Sequence, residues 1–370
     1  METQHETSAG GDRGASGKGQ PDGVVKVRGP VGVRHAWWLL VAGLGLWLLW
    51  QTAAVWLAAF LAVAFTVAVV GLAQKLERHW PLGYGPSLAA VGLAILTLIA
   101  AAGLWTGPAL VTQFDELSQQ LPKAVAAARD WLQQQSWGPT VLDRLADAEA
   151  SLGDRSVMNR VGAWLSTAAG AAGGGLAVLA ITAFLAARPG LYVAGVKQLL
   201  PPRHERRTDQ VLHRLASALR WWTLGQLASM LVTGTLTGLG LWIIGVPLAW
   251  VLGLLAGLLA FVPNLGSLAG MALGVLVAST ESPSLVLWTA GVYVAVQLIE
   301  SNLITPMIQQ YVVSVPPALL LIFQIAMGLL FGVLGLLVST PLLVAVMVVV
   351  QMLWVRDHLG REVKVLGEEK

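Results

Sequence analysis

The sequence contains no cysteine and few charged residues, and these two deficits narrow the class of protein. Without cysteine the chain has neither disulfides nor thiolate chemistry. Only 12% of the residues are charged and 56% are hydrophobic, whereas roughly a quarter of a soluble domain is charged. Because a chain this apolar must satisfy its backbone internally, we predict an all-α polytopic membrane protein.

The shortage of charge is greatest between Trp221 and Val355, where the only charged side chains are Glu281 and Glu300. As helix, this stretch would measure ~200 Å, enough for six or seven crossings of a ~30 Å hydrocarbon layer. Together with the apolar runs that precede it, the stretch predicts about eight transmembrane helices. A Pro-Asn pair interrupts residues 248–280, which we therefore interpret as a broken, re-entrant helical hairpin.

Several other kinds of site are missing from the sequence. The six histidines lie outside the apolar runs and lack ligand spacing, so we expect no metal site. There is neither a phosphate-binding glycine loop nor a nucleophile elbow, which argues against an enzyme and against a bound cofactor. The basic residues are scattered through short loops, so a nucleic-acid partner is not expected. The first partner predicted is the lipid bilayer.

Changes in composition divide the chain into segments. In order they are a disordered cytoplasmic tail (1–34), transmembrane helices 1–3 (35–110), an extracytoplasmic amphipathic helical segment (111–162), transmembrane helix 4 (163–187), a basic cytoplasmic loop with an interfacial helix (188–220), a C-terminal transmembrane core (221–355) and a cytoplasmic tail (356–370). Gln51-Thr52 predicts a turn in the first apolar run, and Pro122 a kink or division of the amphipathic segment. Ser339-Thr340-Pro341 is the predicted joint between the last two crossings.

Lysine and arginine counts predict the orientation. The 188–220 loop carries seven of them, the N-terminal tail five and the C-terminal tail four. The 111–162 segment has five, against seven acidic residues. Since basic loops stay in the cytoplasm, both termini are predicted to be cytoplasmic and 111–162 to lie outside. If 248–280 crosses twice instead of re-entering, the count becomes ten and the termini stay inside.

Glu300 is the first candidate for a functional residue, because it is the acid deepest in the apolar half. A carboxylate at the centre of a membrane helix costs about 2.5–3.5 kcal/mol, so it needs water, a partner or a proton. Asn302 and Thr305 can hydrogen-bond it, and Pro306 prevents a regular helix from continuing. The alternative interpretation is that Glu300 is solvated at the inner interface.

The break in the predicted hairpin is the second candidate. Pro263 removes a backbone donor, Gly266 allows positive φ, and Asn264 and Ser267 can satisfy freed backbone groups. Broken transporter helices hold solutes or ions with such groups. A simple turn between two antiparallel spans would explain the same residues. Gln226 adds a polar group near the start of the fifth crossing, where helix packing is the alternative role.

The order of these features resembles the autoinducer-2 exporter family of bacterial permeases. The resemblance is carried by LPPRHERR (200–207), LGQL (224–227), GLWIIGVPLAWVLGLLAGLLAFVPNLGSLAG (240–270), IESNLITPMI (299–308) and PPALLLIFQIAMGLLFGVLGLLVSTPL (316–342). The family usually has Pro-Tyr-Ile-Gly-Pro where this chain has PNLGS (263–267). Pro263, Gly266, Glu300, Asn302 and Pro306 match the polar breaks of the family.

The resemblance implies a protein of the bacterial inner membrane that exports small polar signals. It also implies assembly as a ring of identical subunits, a pentamer being the ring to test. Some relatives look like cation/proton antiporters. We therefore expect a secondary transporter of a small polar solute or ion. Its rivals are a cation/proton antiporter and a non-transporting scaffold that binds a partner through 111–162.

Overall fold

The computed structural model describes residues 31–80, 83–136, 138–140, 142–144, 174–199, 201, 205–304 and 315–360. These residues are helical, and no strand occurs among them, which confirms the all-α class. Most of the predicted N-terminal tail, residues 145–173 and the end of the C-terminal tail lie outside the described residues, as do Thr305 and Pro306.

The described residues up to Gln51 form one compact unit, and the described residues from Thr52 onward form another. In the first unit, helix α1 covers Val31–Gln51. In the second, helix α2 covers Ala53–His79, and its apolar length is sufficient to cross a bilayer. The helix is therefore interrupted at Thr52, where the sequence predicts a turn.

Helix α3 is a single element from Tyr84 to Gln133, with 50 residues and a length of ~75 Å. The predicted third crossing and the first part of the amphipathic segment are thus continuous, and Pro122 does not divide the helix. Along α3 the sequence pattern changes from apolar to amphipathic. This change affects which helix faces are buried, but it does not by itself end a helix. Leu117 is buried against the ends of the helices described below.

Two shorter helices follow the undescribed segment. Helix α4 runs over 174–187 and ends where the sequence predicts the end of the fourth crossing, and α5 covers Pro189–Gln198. The two are bent by 83° at Arg188. Pro189 explains the bend, because proline at the first helical position keeps the preceding residue out of the α region.

Helix α6 covers Glu205–Ile243 and is 39 residues long, or ~58 Å. It joins the predicted interfacial helix to the predicted fifth crossing without interruption. Gly245 ends it with φ +78. The N–H groups of Val246 and Gly245 donate to the carbonyl oxygens of Leu241 and Trp242, which is a Schellman motif.

The region 248–280 forms two half-helices, as predicted. Helix α7 (Ala249–Leu259) has 11 residues and α8 (Leu265–Ala278) has 14, or ~17 and ~21 Å, too short to cross a bilayer singly. They run antiparallel, since a Cβ added to Gly270 would lie 3.4 Å from the Ala256 Cα. We name this pair hairpin A. That it re-enters a membrane stays a prediction.

Helix α9 covers Pro283–Ile299 and leads directly into the second polar break. It begins with Pro283 at the first helical position and Ser282 as the N-cap, whose Oγ accepts from the Leu285 N–H at 3.3 Å. Beyond Ile299 the chain continues as a π-helical turn, Glu300–Ile304.

Helix α10 (Pro317–Val349) folds back on itself at Gly332, which has φ 62 and ψ −142. Across this reversal, a Cβ on Gly328 would lie 2.9 Å from the Leu336 side chain. We name the folded-back helix hairpin B. The second arm continues as a π-helix, Val350–His358.

The predicted joint at Ser339-Thr340-Pro341 is wrong, because all three residues lie buried inside the second arm. Glycine adopts positive φ without steric cost and so supplies the reversal. The first arm, residues 317–331, measures ~22 Å and is shorter than the hydrocarbon layer; the second arm with its extension, 333–358, measures ~39 Å.

Four helices among the described residues are long and apolar enough to cross a bilayer, or five if the bent pair α4–α5 is one span. The protein is therefore a multi-pass helical membrane protein. The fourth of these helices includes hairpin B, whose first arm is too short to cross by itself. The number eight stays a prediction.

Four glycines bring hairpin A into backbone contact with α6. Gly234 and Gly238 of α6 face Gly253 and Gly257 of α7: a Cβ on Gly253 would lie 2.5 Å from the Gly238 Cα, and a Cβ on Gly257 would lie 3.0 Å from the Gly234 Cα. Small residues spaced by four are what close approach of two membrane helices requires. The first arm of hairpin A is thereby fixed against α6.

We predict that Gly253→Ala separates α6 from α7. The added methyl group would collide with backbone atoms that cannot rotate away, and overpacking of this kind costs about 1–3 kcal/mol. The melting temperature in detergent should fall by several degrees. Gly291→Ala is the matched control, because a Cβ there meets nothing within 4 Å; equal melting temperatures for the two variants would contradict the contact.

Candidate functional site

One turn of α6 contacts both polar breaks of the core. Gln226 is buried, and its Nε2 donates to the Ala260 carbonyl oxygen at the turn of hairpin A, at 2.6 Å. Ser229, also buried, donates from Oγ to Glu300 Oε1 at 2.5 Å. Since residues three apart share a helix face, the two bonds leave α6 on the same side. The structure therefore joins the predicted hairpin break and the predicted acid through α6.

Glu300 is the first residue of the π-helical turn and is half-buried. π-helical turns realign the backbone hydrogen bonds and occur often at functional sites. Asn302, expected beside the carboxyl group, donates from Nδ2 to the Leu298 carbonyl oxygen at 2.8 Å. Asn302 thus satisfies backbone, and Ser229 supplies a hydrogen bond to the acid.

The turn of hairpin A is strained at Asn264, which has φ 66 and ψ −56. The Leu265 N–H donates to the Pro263 carbonyl oxygen at 2.8 Å, which makes a γ-turn of the rare positive-φ kind. Ser267 Oγ donates to the Asn264 carbonyl oxygen at 3.1 Å. Gly266 is buried directly against the Leu259 carbonyl oxygen, where no Cβ fits. Strain of order 1–3 kcal/mol persists only where the surroundings enforce it.

Gln324, in the first arm of hairpin B, contacts the strained turn of hairpin A. It is fully buried and donates from Nε2 to the Pro263 carbonyl oxygen at 3.2 Å and to Thr340 Oγ1 at 3.3 Å. Neither Gln324 nor Ser229 is among the candidates predicted from the sequence. Gln324 could be predicted from the sequence, because it is the one amide inside the apolar run LLLIFQIAM and a buried amide must find a hydrogen-bond partner.

A cavity of about 90 Å³ lies between the two hairpins near their turns. Its lining is apolar and comes from Leu258, Leu259, Val262, Leu265, Gly266, Ala269, Val333, Leu336 and Leu337. A polar solute finds no hydrogen-bond partner among these side chains. The cavity is therefore packing space between the hairpins and not a solute site.

The arrangement can bind a proton or a cation. Glu300 is a carboxylate, and the Ser229 hydroxyl lies within hydrogen-bond distance of it. Carboxylate oxygens are ligands that hard cations prefer. The charge of the carboxylate repels an anionic solute.

We predict that Gln226→Leu loosens the turn of hairpin A. The variant leaves the buried Ala260 carbonyl oxygen without this donor, at a cost of about 1–3 kcal/mol. Amide hydrogen exchange of residues 260–266 should become faster. Gln297→Leu, in the half-buried part of α9, is the control and should leave exchange at that turn unchanged; unchanged exchange in both variants would show that Gln226 does not hold the turn.

Comparison with known proteins finds similarity to transport proteins. Over 143 residues the chain is 27% identical to "Putative transport protein YrrI" of Bacillus subtilis (strain 168), covering 39% of this chain and 40% of that one. It is 28% identical over 144 residues to "Putative transport protein YueF" of the same organism, 39% of each chain. A Mycobacterium tuberculosis (strain CDC 1551 / Oshkosh) protein, "Putative transport protein MT0215", is 35% identical over 105 residues, 28% of this chain and 29% of that one.

The chain thus aligns with about two fifths of the length of the two Bacillus relatives. A family model covers far more of it: the model of the AI-2E family transporter matches residues 38–354. That range includes both hairpins, α6 and the π-helical turn of Glu300. The chain belongs to the AI-2E family of transporters.

Proposed function

We propose that the protein is a secondary transporter that moves a small polar solute, or an ion coupled to that solute, past the Ser229–Glu300 pair. The hydrogen bond between these two side chains, at 2.5 Å, carries the proposal. It places an acid at an irregular turn beside a long apolar helix, where an ionisable group indicates an ion or substrate pathway.

The two hairpins support the same function. Each arm of hairpin A and the first arm of hairpin B are too short to cross the membrane. Gln324 in hairpin B donates to the Pro263 carbonyl oxygen in hairpin A. Transporters build solute sites from such discontinuous helices near the middle of the bilayer. We propose that both hairpins are re-entrant and that their turns border the pathway.

The charge distribution suggests how the protein is placed. We propose a location in the bacterial inner membrane with both termini in the cytoplasm, because the basic residues concentrate in the 188–220 loop and the two tails. Export as the direction of transport and a ring of identical subunits, a pentamer among the possibilities, are further proposals from the family resemblance. Light scattering of the purified protein would test the ring.

The rival function is a scaffold that binds a partner through 111–162. Two residues of this segment already contact the core, since Leu117 is buried among residues of α6 and hairpin A and Gln113 Oε1 accepts from the Val251 N–H at 3.4 Å. A helix packed in this way braces the core. The other rival, cation/proton exchange, uses the same Glu300 carboxylate. The assay below measures this exchange separately from solute flux.

We predict that Glu300→Gln lowers transport at least about tenfold, because an amide can neither take up a proton nor balance a cation. The measurement is flux in proteoliposomes, with one arm following autoinducer-2 efflux and the other following the internal pH under an imposed Na⁺ or K⁺ gradient. Loss in the second arm alone would identify the antiporter.

Glu281→Gln is the matched control, because Glu281 is the other acid between Trp221 and Val355 and is exposed. Its flux should equal that of the unchanged protein. If Glu300→Gln keeps full flux and full pH dependence in both arms, Glu300 is not part of the mechanism. If the unchanged protein carries neither flux while folded, the transport proposal is wrong.

A further inference from the structure

Helices α6 and α9 bury four hydroxyl groups that the site described above does not use. They belong to Thr233, Thr237, Thr289 and Tyr293, each less than a tenth exposed. Among the described residues none of these four oxygens has a hydrogen-bond partner. Buried hydroxyls without partners are rare and costly, and so a group of them on two neighbouring helices requires an explanation.

The hydroxyls lie on one face of each helix. On α6 the residues Ser229, Thr233 and Thr237 follow one another at intervals of four and share a face. On α9 the same holds for Thr289 and Tyr293, and Glu300 lies two turns further along that face. Both faces run away from the Ser229–Glu300 hydrogen bond, and we name the contact between α6 and α9 along this length the α6–α9 seam.

Two contacts show that α6 and α9 meet along this length. At one end Ser229 donates to Glu300. At the other, a Cβ on Gly240 would lie 2.6 Å from Val292 Cγ1. The helices are antiparallel, because residue numbers rise on α6 while they fall on α9 between these contacts. Thr233 and Thr237 lie between the two contacts, and so does Tyr293.

The hydroxyl-bearing face of α9 packs against hairpin A. The Tyr293 ring lies directly against Gly274 of α8, and a Cβ there would come within 2.8 Å of the Tyr293 hydroxyl oxygen. The hydroxyl thus lies where α9 meets the second arm of hairpin A.

We propose that the α6–α9 seam is the closed form of an aqueous path that leads to Glu300, an inference that rests on the proposed transport function. In the open form water and the solute enter between α6 and α9 and hydrogen-bond to the hydroxyls of Thr233 and Thr237, each of which both donates and accepts. The solute is neutral or cationic, because the path ends at a carboxylate and the C-terminal core carries no basic residue.

The absence of cysteine from the sequence makes a direct test possible. Thr233→Cys and Thr237→Cys each introduce a single thiol in the seam, and Thr235→Cys introduces one on the exposed face of the same helix. The probes are 2-aminoethyl methanethiosulfonate, a small cation, and its anionic sulfonatoethyl analogue, applied to proteoliposomes during transport. Labelling is read by mass spectrometry.

The path predicts that the cationic reagent labels Thr233→Cys and Thr237→Cys at least about tenfold faster than Thr235→Cys, and that the anionic reagent is slower at both seam positions. No faster labelling than at position 235, while the unchanged protein still transports, overturns the path and leaves the transport function standing. Absence of flux in the unchanged protein overturns the transport function itself.

Two further substitutions keep the test decisive if a cysteine variant fails to fold. Thr237→Val preserves the shape of the side chain and removes its hydroxyl, and Thr237→Ser keeps the hydroxyl. The path predicts flux reduced severalfold in the first and retained in the second, with both melting near the unchanged protein. Equal flux in the two variants contradicts a role for the hydroxyl in the path.

Discussion

The structure depends on two hydrogen bonds made by one turn of α6. Gln226 holds the turn of hairpin A through the Ala260 carbonyl oxygen, and Ser229 holds Glu300. Both breaks expose polar groups that the membrane interior cannot satisfy. One face of α6 supplies hydrogen-bond partners for both breaks. This long, regular helix therefore positions the two breaks relative to each other.

Packing reinforces this constraint from two directions. The glycines of α6 and α7 bring the two backbones into contact, so the first arm of hairpin A cannot shift along α6 without losing the fit. Gln324 reaches the same turn from hairpin B. Two antiparallel hairpins meeting at one strained turn form an element with few alternative packings, which suits a gate that moves between discrete states.

Composition and periodicity were sufficient for the class of protein and for hairpin A, because apolar length and a Pro-Asn break are local signals. They were insufficient for hairpin B. Gly332, where the chain reverses, is one glycine in a long apolar run, and the stronger turn signal in that run, Ser339-Thr340-Pro341, lies inside a helix. Pro122 likewise stays within α3. Proline in a helix removes a single donor, whereas a glycine with positive φ reverses the chain.

The acid at the site could be found from sequence alone, because a lone carboxylate in an apolar core is conspicuous. Its partner Ser229 could not, since it lies seventy-one positions away and serine is common in membrane helices. The same holds for Gln324, whose role depends on a carbonyl oxygen of another hairpin. Residues that act through tertiary partners carry no local pattern.

A double-mutant cycle on Ser229 and Glu300 tests the central claim most directly, with flux in proteoliposomes as the measurement. If Ser229 acts through the acid, Ser229→Ala lowers flux in the protein that keeps Glu300, and adding it to Glu300→Gln has no further effect. Losses that multiply in the double variant would show that the two side chains act independently and that the hydrogen bond between them has no role in transport.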